Sequence, residues 1–387
     1  MKKRKFIIIG SGITGVVIAR NLAEAGFKVD IYEKRNHIAG NMYDYEKDGI
    51  LIHKYGPHIF HTSDEEVNEY MNKFWKLNKF QNIVEGYVNN KLVPIPCNFK
   101  SIDILFPDKA EQIKNNLKTF FPNQPNVPIL ELKKIDNELL KEFSDFIYKN
   151  LFLNYTTKMW NLKPDEIDES VTARIPIILS YKNTYFNDKY EGLPIDGYTK
   201  TFEKILNHEN INVYINTDAI NILKMEDDKI FIDDKENEIV IYTGPLDKLF
   251  KNKFDQLDYR SLHFEFETIN QTKFQETAVV NYPDDPIITR ITEYKNMTLQ
   301  NVENKTVIGK ETPGTYDEKS SKWNEPYYPL ATDEARNKYN KYKDFSEKYT
   351  NLYVCGRMGL YKYINMDQAI KNALELSKEI LENENKK

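Results

Sequence analysis

Three glycines in G-x-G-x-x-G spacing, Gly10, Gly12 and Gly15, and an acid about twenty residues further on, Glu33, are residue types that hold a dinucleotide. Gly10 permits a tight turn. Gly12 lets a pyrophosphate approach the main chain, and Gly15 lets a helix pack closely on a strand. Ser11 and Thr14 belong to the same turn, and the free N–H groups of the helix start would bind the anion. A carboxylate at Glu33 accepts hydrogen bonds from ribose hydroxyls and repels a 2′-phosphate, which argues against NADP.

Other candidates lie further along. Gly56-Pro57-His58-Ile59-Phe60-His61-Thr62 puts two histidines three apart. That spacing suits a metal only on a helix with a third ligand nearby. Gly-Pro argues against the helix and no third ligand is near, so the expectation is a loop lining a cofactor, with no metal. Tyr155-Thr156-Thr157-Lys158-Met159-Trp160 is unusually polar for the core face of a helix. Arg174 sits in a long polar stretch, 164 to 190, of the kind that closes over a ligand, although a solvated arginine is the plain alternative. Arg290 alternates with Ile288 and Thr292, which makes it a strand-edge charge or an anion ligand.

These residues need elements to position them. Lys5 to Ile9 reads as a buried strand, and Val16, Val17, Ala19, Leu22 and Ala23 recur at helical spacing before Gly26 stops the helix. Val29, Ile31 and Tyr32 form the second strand, ending at Glu33. A hairpin is expected around 42 to 55. Ser63 reads as an N-cap, with Glu66 completing a capping box for a helix running to about Leu77. Asn89-Asn90 is the turn of a second hairpin. Residues 100 to 160 look helical. A helix follows Tyr198, and Ile211 to Ile215, Ile222-Leu223 and the segment ending at Thr243 read as strands returning to the nucleotide domain. Alternation between Tyr259 and Gly309 predicts an antiparallel sheet, and Leu352 to Cys355 a strand before a last helix. The expected fold class is α/β: a discontinuous Rossmann-like dinucleotide-binding domain (1–80, 192–258, 345–387), an inserted helical domain (100–165), and an antiparallel-sheet substrate domain with a mobile loop (81–99, 166–191, 259–344).

Bulk properties exclude some classes. With 54 Lys and Arg against 59 Asp and Glu, the net charge of −5 offers no basic face for nucleic acid. No run approaches the length of a membrane span, and the two cysteines, Cys97 and Cys355, form no metal or redox motif, so a cytoplasmic protein is expected.

After Glu33 the chain reads Lys34-Arg35-Asn36-His37-Ile38-Ala39-Gly40-Asn41. This resembles the extended fingerprint of FAD-binding oxidoreductases, with Ala39 in place of the first glycine of a Gly-Gly pair. Gly56 to Thr62, Lys158-Met159-Trp160, Arg174, Thr289-Arg290-Ile291-Thr292-Glu293, Pro326-Tyr327-Tyr328-Pro329, Gly356-Arg357-Met358-Gly359 and Met366-Asp367 occur in this order. Together they resemble the bacterial-type UDP-galactopyranose mutase family. The resemblance implies an isomerase that interconverts UDP-galactopyranose and UDP-galactofuranose on reduced FAD, for cell-surface glycans. In that family N5 of the flavin attacks the anomeric carbon and expels UDP, and the sugar then opens through an iminium and recloses. The resemblance also implies an external reductant such as NAD(P)H or a reductase, and a homodimer.

Residue by residue, the resemblance places Arg174 and Arg290 on the diphosphate. Tyr155, Thr156 and Trp160 fall near the uridine, and Tyr185, Tyr328 and Tyr363 reach the diphosphate. His58, Ile59 and His61 fall beside flavin and sugar, and Arg357, Tyr363 and Met366 beside FAD, with Lys34, Gly40 and Asn41 completing the cofactor set. Asn365 stands where the family usually has an acid, with Asp367 two residues on. An N-acetylated UDP-sugar is an alternative substrate, an amine oxidase or desaturase on the same fold the alternative activity, and a flavin-binding sensor without turnover the alternative class.

Overall fold

The computed structural model describes residues 4–161, 176–330 and 332–386. Strand Lys5–Ile9 is enclosed beyond its first residue: Phe6, Ile7 and Ile8 have no exposed surface, because helices cover both faces of its sheet. It pairs in parallel with Lys28–Tyr32 on one side and Glu238–Tyr242 on the other, with Ile211–Tyr214 and Leu352–Val354 at the edges. In chain order the strands lie third, second, first, fourth, fifth across the sheet. Such an order reverses direction between the first and fourth strands, and ligands bind beyond the strand ends at that switch.

Helix Ile13–Glu24 buries nine of its twelve residues, which places it between the sheet and the C-terminal helix Met366–Asn385. Its Val16, Val17 and Leu22 are wholly enclosed, and burial of such a side chain contributes about 1.5–3 kcal/mol. The acid-bearing strand thus ends beside the glycine turn.

A second sheet has seven strands, in the order Tyr328–Pro329, Tyr259–Ile269, Thr306–Thr315, Arg290–Glu293, Val279–Asn281, Val84–Val88 and Lys91–Ile95. It is not wholly antiparallel as expected. Val279–Asn281 pairs in parallel with Val84–Val88, because the hairpin turning at Asn89-Asn90 (φ 49° and 61°) is added from a distant part of the chain. Helices Phe99–Leu105, Ala110–Phe120, Ile129–Leu132 and Glu138–Ile147 pack against this sheet through one core. The last continues without a break through a π-helical turn, Tyr148–Leu153, into Asn154–Trp160, and stops at Asn161 with φ 52°. The wider turn re-aims the polar segment that follows it.

Three local expectations are corrected. Asp64, not Ser63, caps the helix Glu65–Met71, its Oδ1 accepting from Val67 N at 3.1 Å. The Ser63 hydroxyl is taken by Asp188, and Glu66 by Lys371 and Lys378, so no Ser63–Glu66 box forms. The helix ends at Met71 rather than near Leu77, and a tighter turn through Lys73 carries Phe74 and Trp75 into the core. Ile222-Leu223 is no strand: both N–H groups bond back to Ala219, and the hairpin is Lys224–Glu226 with Lys229–Phe231. Among the described residues no helix is long and apolar enough to cross a membrane.

Candidate active site

At the switch between strands Lys5–Ile9 and Glu238–Tyr242 the glycines divide their work. Gly10 has φ +105°, and a Cβ there would lie 2.2 Å from Thr243 Oγ1. A Cβ on Gly15 would lie 2.2 Å from the Gly10 carbonyl, so helix and turn touch directly. A Cβ on Gly12 would meet nothing within 4 Å among the described residues. Gly12 therefore faces open space, a cavity of about 410 Å³ also bordered by Thr14, Glu33 and Gly356. Gly40 closes down on Gly12, where a Cβ would come within 3.1 Å of its Cα. Ala39 accepts the left-handed conformation, φ 75°, that a glycine would adopt freely.

The wall is built to hold polar groups. Ser11 does not line the cavity; its N and Oγ donate to Glu33 Oε2 at 3.0 and 2.7 Å, and Arg35 N donates to Oε1 at 3.0 Å. Glu33 is thereby fixed at the strand end, on the cavity. Arg35 lies over the Tyr55 ring at 4.6 Å and donates from Nη2 to Asn41 Oδ1 (3.0 Å) and Glu325 Oε2 (2.7 Å). Among the described residues its buried Nε has no partner, although Arg35 lines the cavity with Lys34 and Asn41. Met366 and Ala369 bring the N-terminus of the last helix to the same space. Two helix starts, a glycine open to the cavity and an unpartnered guanidinium N–H fit a dinucleotide with its pyrophosphate on the main chain. Those residues are where a flavin dinucleotide would be held.

A second constellation adjoins the first. Arg290 Nε donates to Glu311 Oε2 at 2.7 Å, directly across the strand pair, and Glu311 Oε1 accepts from Thr289 Oγ1 at 2.8 Å. Glu311 is only 1 % exposed. Burial alone would lower the Arg290 pKa, but the Glu311 carboxylate, with Tyr155 and Tyr328 beside it, holds it well above the usual value. Arg290 is a permanent cation. The rings of Trp160, Tyr328 and Tyr363 follow one another at 6.4 and 5.4 Å. Arg357 lies 5.7 Å over Tyr328 and 5.1 Å over Tyr363, donates to the Ile364 carbonyl, and lines the cofactor cavity. Burial pushes the Tyr328 phenol up to about 12, and that of Tyr155 up as well. Both hydroxyls keep their protons at neutral pH. Tyr185 is close enough to Tyr155 to affect it electrostatically.

His58 stands at the junction, lining the cavity and sensing the charge of both Arg290 and Arg357. Burial, then neighbouring His53, pushes its pKa down to about 3. Its Nδ1 lies 2.9 Å from the Gly56 carbonyl, which can only accept, so Nδ1 carries the proton and Nε2 is left as an acceptor with no hydrogen bond among the described residues.

His61, Ile59 and Thr156 do not line the cavity. His61 is turned away from the cavity, with Nδ1 2.8 Å from Asp188 Oδ2 and its ring stacked on Phe186. Ile59 packs in the core beneath the second sheet. Thr156 is buried in its helix. Asn365 lies at the start of the last helix, its N–H bonded to Gln368 Oε1, and lines the cofactor cavity. Asp367 is bonded by Thr62 Oγ1 at 3.3 Å. Arg174 lies outside the described residues. Sequence reasoning missed Glu311, for which a buried acid in a strand was the available signal. It also missed Arg260, which is buried, has no acid partner among the described residues, and donates to the Met159 carbonyl and Thr315 Oγ1.

The chain is similar to known proteins over nearly its whole length. The family model described as "UDP-galactopyranose mutase" matches residues 150–363, and one described as "NAD(P)-binding Rossmann-like domain" matches residues 8–74. The chain is 35% identical to a UDP-galactopyranose mutase of Mycoplasma pneumoniae over 98% of its own length and 97% of the relative's. It is 32% identical to a dTDP-fucopyranose mutase of Escherichia coli over 98% and 99%. Its fold matches the crystal structure of a reduced UDP-galactopyranose mutase with a TM-score of 0.71 at 17% identity, covering 98% of this chain and 94% of the other.

Proposed function

Because the chain belongs to the UDP-galactopyranose mutase family, we propose that it interconverts UDP-galactopyranose and UDP-galactofuranose with reduced FAD in the cavity over Gly12. The observation that carries this reading is Arg290, paired with Glu311 among Tyr155 and Tyr328 and linked to the cavity wall through Arg357.

When bound, reduced FAD supplies a nucleophilic N5 for the anomeric carbon. The rest falls to the protein. Loss of UDP from that carbon leaves charge on a diphosphate. Arg290 stabilises it with charge-assisted hydrogen bonds, each contributing about 1.5–3 kcal/mol. Its Nε is held by Glu311, which fixes the guanidinium plane and leaves the outer N–H groups for the ligand. Tyr155 and Tyr328, kept protonated by burial, donate O–H groups to phosphate oxygens. His58 stays neutral, so it adds no charge beside the sugar and offers Nε2 as an acceptor for a hydroxyl. Arg174 is the second diphosphate arginine in this reading, and an external reductant, NAD(P)H or a reductase, keeps the flavin reduced. No apolar tunnel is needed.

The test is anaerobic. The purified protein is reduced with dithionite, given UDP-galactofuranose, and its products are separated by chromatography. Conversion to UDP-galactopyranose in the reduced state alone is the expected result. dTDP-fucofuranose and UDP-N-acetylgalactofuranosamine run in parallel decide the sugar nucleotide. Oxygen consumption with an amine, and no isomerisation, would overturn the reading in favour of an oxidase.

A further inference from the structure

One cation joins the helix bearing Tyr155 and Trp160 to the strand bearing Arg290. Lys158 Nζ donates to the carbonyls of Tyr282 (2.5 Å), Asp285 (2.6 Å) and Ile288 (2.7 Å), with Pro283 at 3.3 Å. All four belong to the loop between strands Val279–Asn281 and Arg290–Glu293. The loop is closed at its mouth by Tyr282 N donating to the Thr289 carbonyl, and turned at its tip by Asp285 Oδ1 accepting from Ile287 N and Ile288 N. Asn154 Nδ2, from the same helix as Lys158, adds a second tie to Asp284 Oδ1 at 2.9 Å.

This arrangement has a physical consequence. Four carbonyl dipoles point their negative ends at one spot, and without a positive charge there they repel one another and the loop opens. A cage made only of main-chain carbonyls replaces the hydration shell of a monovalent cation such as potassium. Here a side-chain ammonium fills it. Its three N–H groups serve the three short contacts, and the fourth carbonyl is held by charge. Burial lowers the Lys158 pKa to about 8, while Asp285 and Asp284 in the loop work against that shift. The loop leads into Arg290 within two residues of Ile288, so its shape sets where the guanidinium stands relative to Tyr155.

We propose that Lys158 is a positioning residue, an internal substitute for a bound monovalent cation, whose place in the 282–288 loop fixes Arg290 against Tyr155 for the diphosphate. This rests on the reading of Arg290 as a diphosphate ligand. A lysine serving only as a scaffold would affect stability, not ligand affinity, and no added cation would replace it.

The experiment uses the flavin-loaded protein and Lys158→Ala. UDP affinity is measured by titration calorimetry, and amide hydrogen exchange is followed over residues 282–293, in sodium buffer and again with ammonium or potassium. UDP binding is expected to weaken by roughly 10-fold, since small misplacement of a binding group is costly. Loop exchange should speed up, and ammonium should reverse both changes where sodium does not. UDP affinity within about 2-fold of wild type, or unchanged loop exchange, would overturn the proposal, given the cost expected of a misplaced group. If Lys158→Ala does not fold, Lys158→Gln is read the same way; it keeps two donors without the charge and should show a smaller loss. Should the wild-type protein itself fail to bind UDP, the functional reading falls, while loop exchange and its response to ammonium still decide whether Lys158 is the clamp.

Discussion

Gly12 and Gly15 are three residues apart, and the structure assigns them opposite sensitivities. A methyl added at Gly15 would lie 2.2 Å from the Gly10 carbonyl, more than 1 Å inside ordinary contact, and the obstacle is main chain. Such overpacking costs about 1–3 kcal/mol, and helix Ile13–Glu24 must shift to relieve it. A methyl at Gly12 meets nothing within 4 Å, and its φ of −70° suits any residue. Gly12→Ala should therefore change the stability of the flavin-free protein by no more than about 0.5 kcal/mol. Gly12→Val should behave similarly while filling the space a pyrophosphate needs. The assay is chemical denaturation of flavin-free protein beside flavin content after purification. Gly15→Ala should be destabilised in the absence of flavin, whereas Gly12→Val should be stable but colourless. A yellow Gly12→Val with wild-type flavin affinity would refute the assignment of this cavity to the dinucleotide. So would a flavin-free Gly12→Ala as unstable as Gly15→Ala.

Three further outcomes are expected. Arg290→Ala should reduce kcat/KM for isomerisation by on the order of 100-fold while the protein stays yellow, as for loss of one charge-stabilising group; near-normal turnover would remove Arg290 from the site. Glu311→Gln keeps the shape but leaves Arg290 without its counter-charge, and should cost about 1–3 kcal/mol by thermal or chemical unfolding. His53 is buried and accepts from His58 N at 3.1 Å, and burial lowers its pKa to about 3. Its folded pKa lies below the unfolded value of 6.5, so the unfolded chain binds the extra proton and stability falls as pH drops below about 6.5. That histidine should account for about 2 kcal/mol between pH 6.5 and 5; His58, also pushed down to about 3, contributes a like amount, so His53→Gln should remove about half of the dependence the two produce, measured by unfolding across that range.

The dinucleotide half of the site was legible because its chemistry is local. The strand, turn, helix and acid fall within Lys5 to Glu33; Gly15 is required by the Gly10 carbonyl five residues away, Gly12 by a ligand on the main chain, and Gly10 by its own positive φ as well as by the distant Thr243. The Asn89-Asn90 hairpin and the helix at Tyr198 were legible for the same reason. Where two neighbouring residues offered the same chemistry, local reading chose wrongly. Ser63 and Asp64 can each cap a helix, and only the distant Asp188, Lys371 and Lys378 decide between them. Arg290 could be named from its alternation and from resemblance, but not its state. That depends on Glu311, twenty-one residues away and placed opposite it by strand register. Likewise Lys158 reads as one polar residue on a helix, and becomes a clamp only when a loop from 282–288 folds its carbonyls around it. Periodicity and turn chemistry act over a few residues, so the sequence determines the elements and the cofactor cradle. Charge pairing and carbonyl cages need groups far apart in the chain to meet within 3 Å, and register and sheet order alone bring them together.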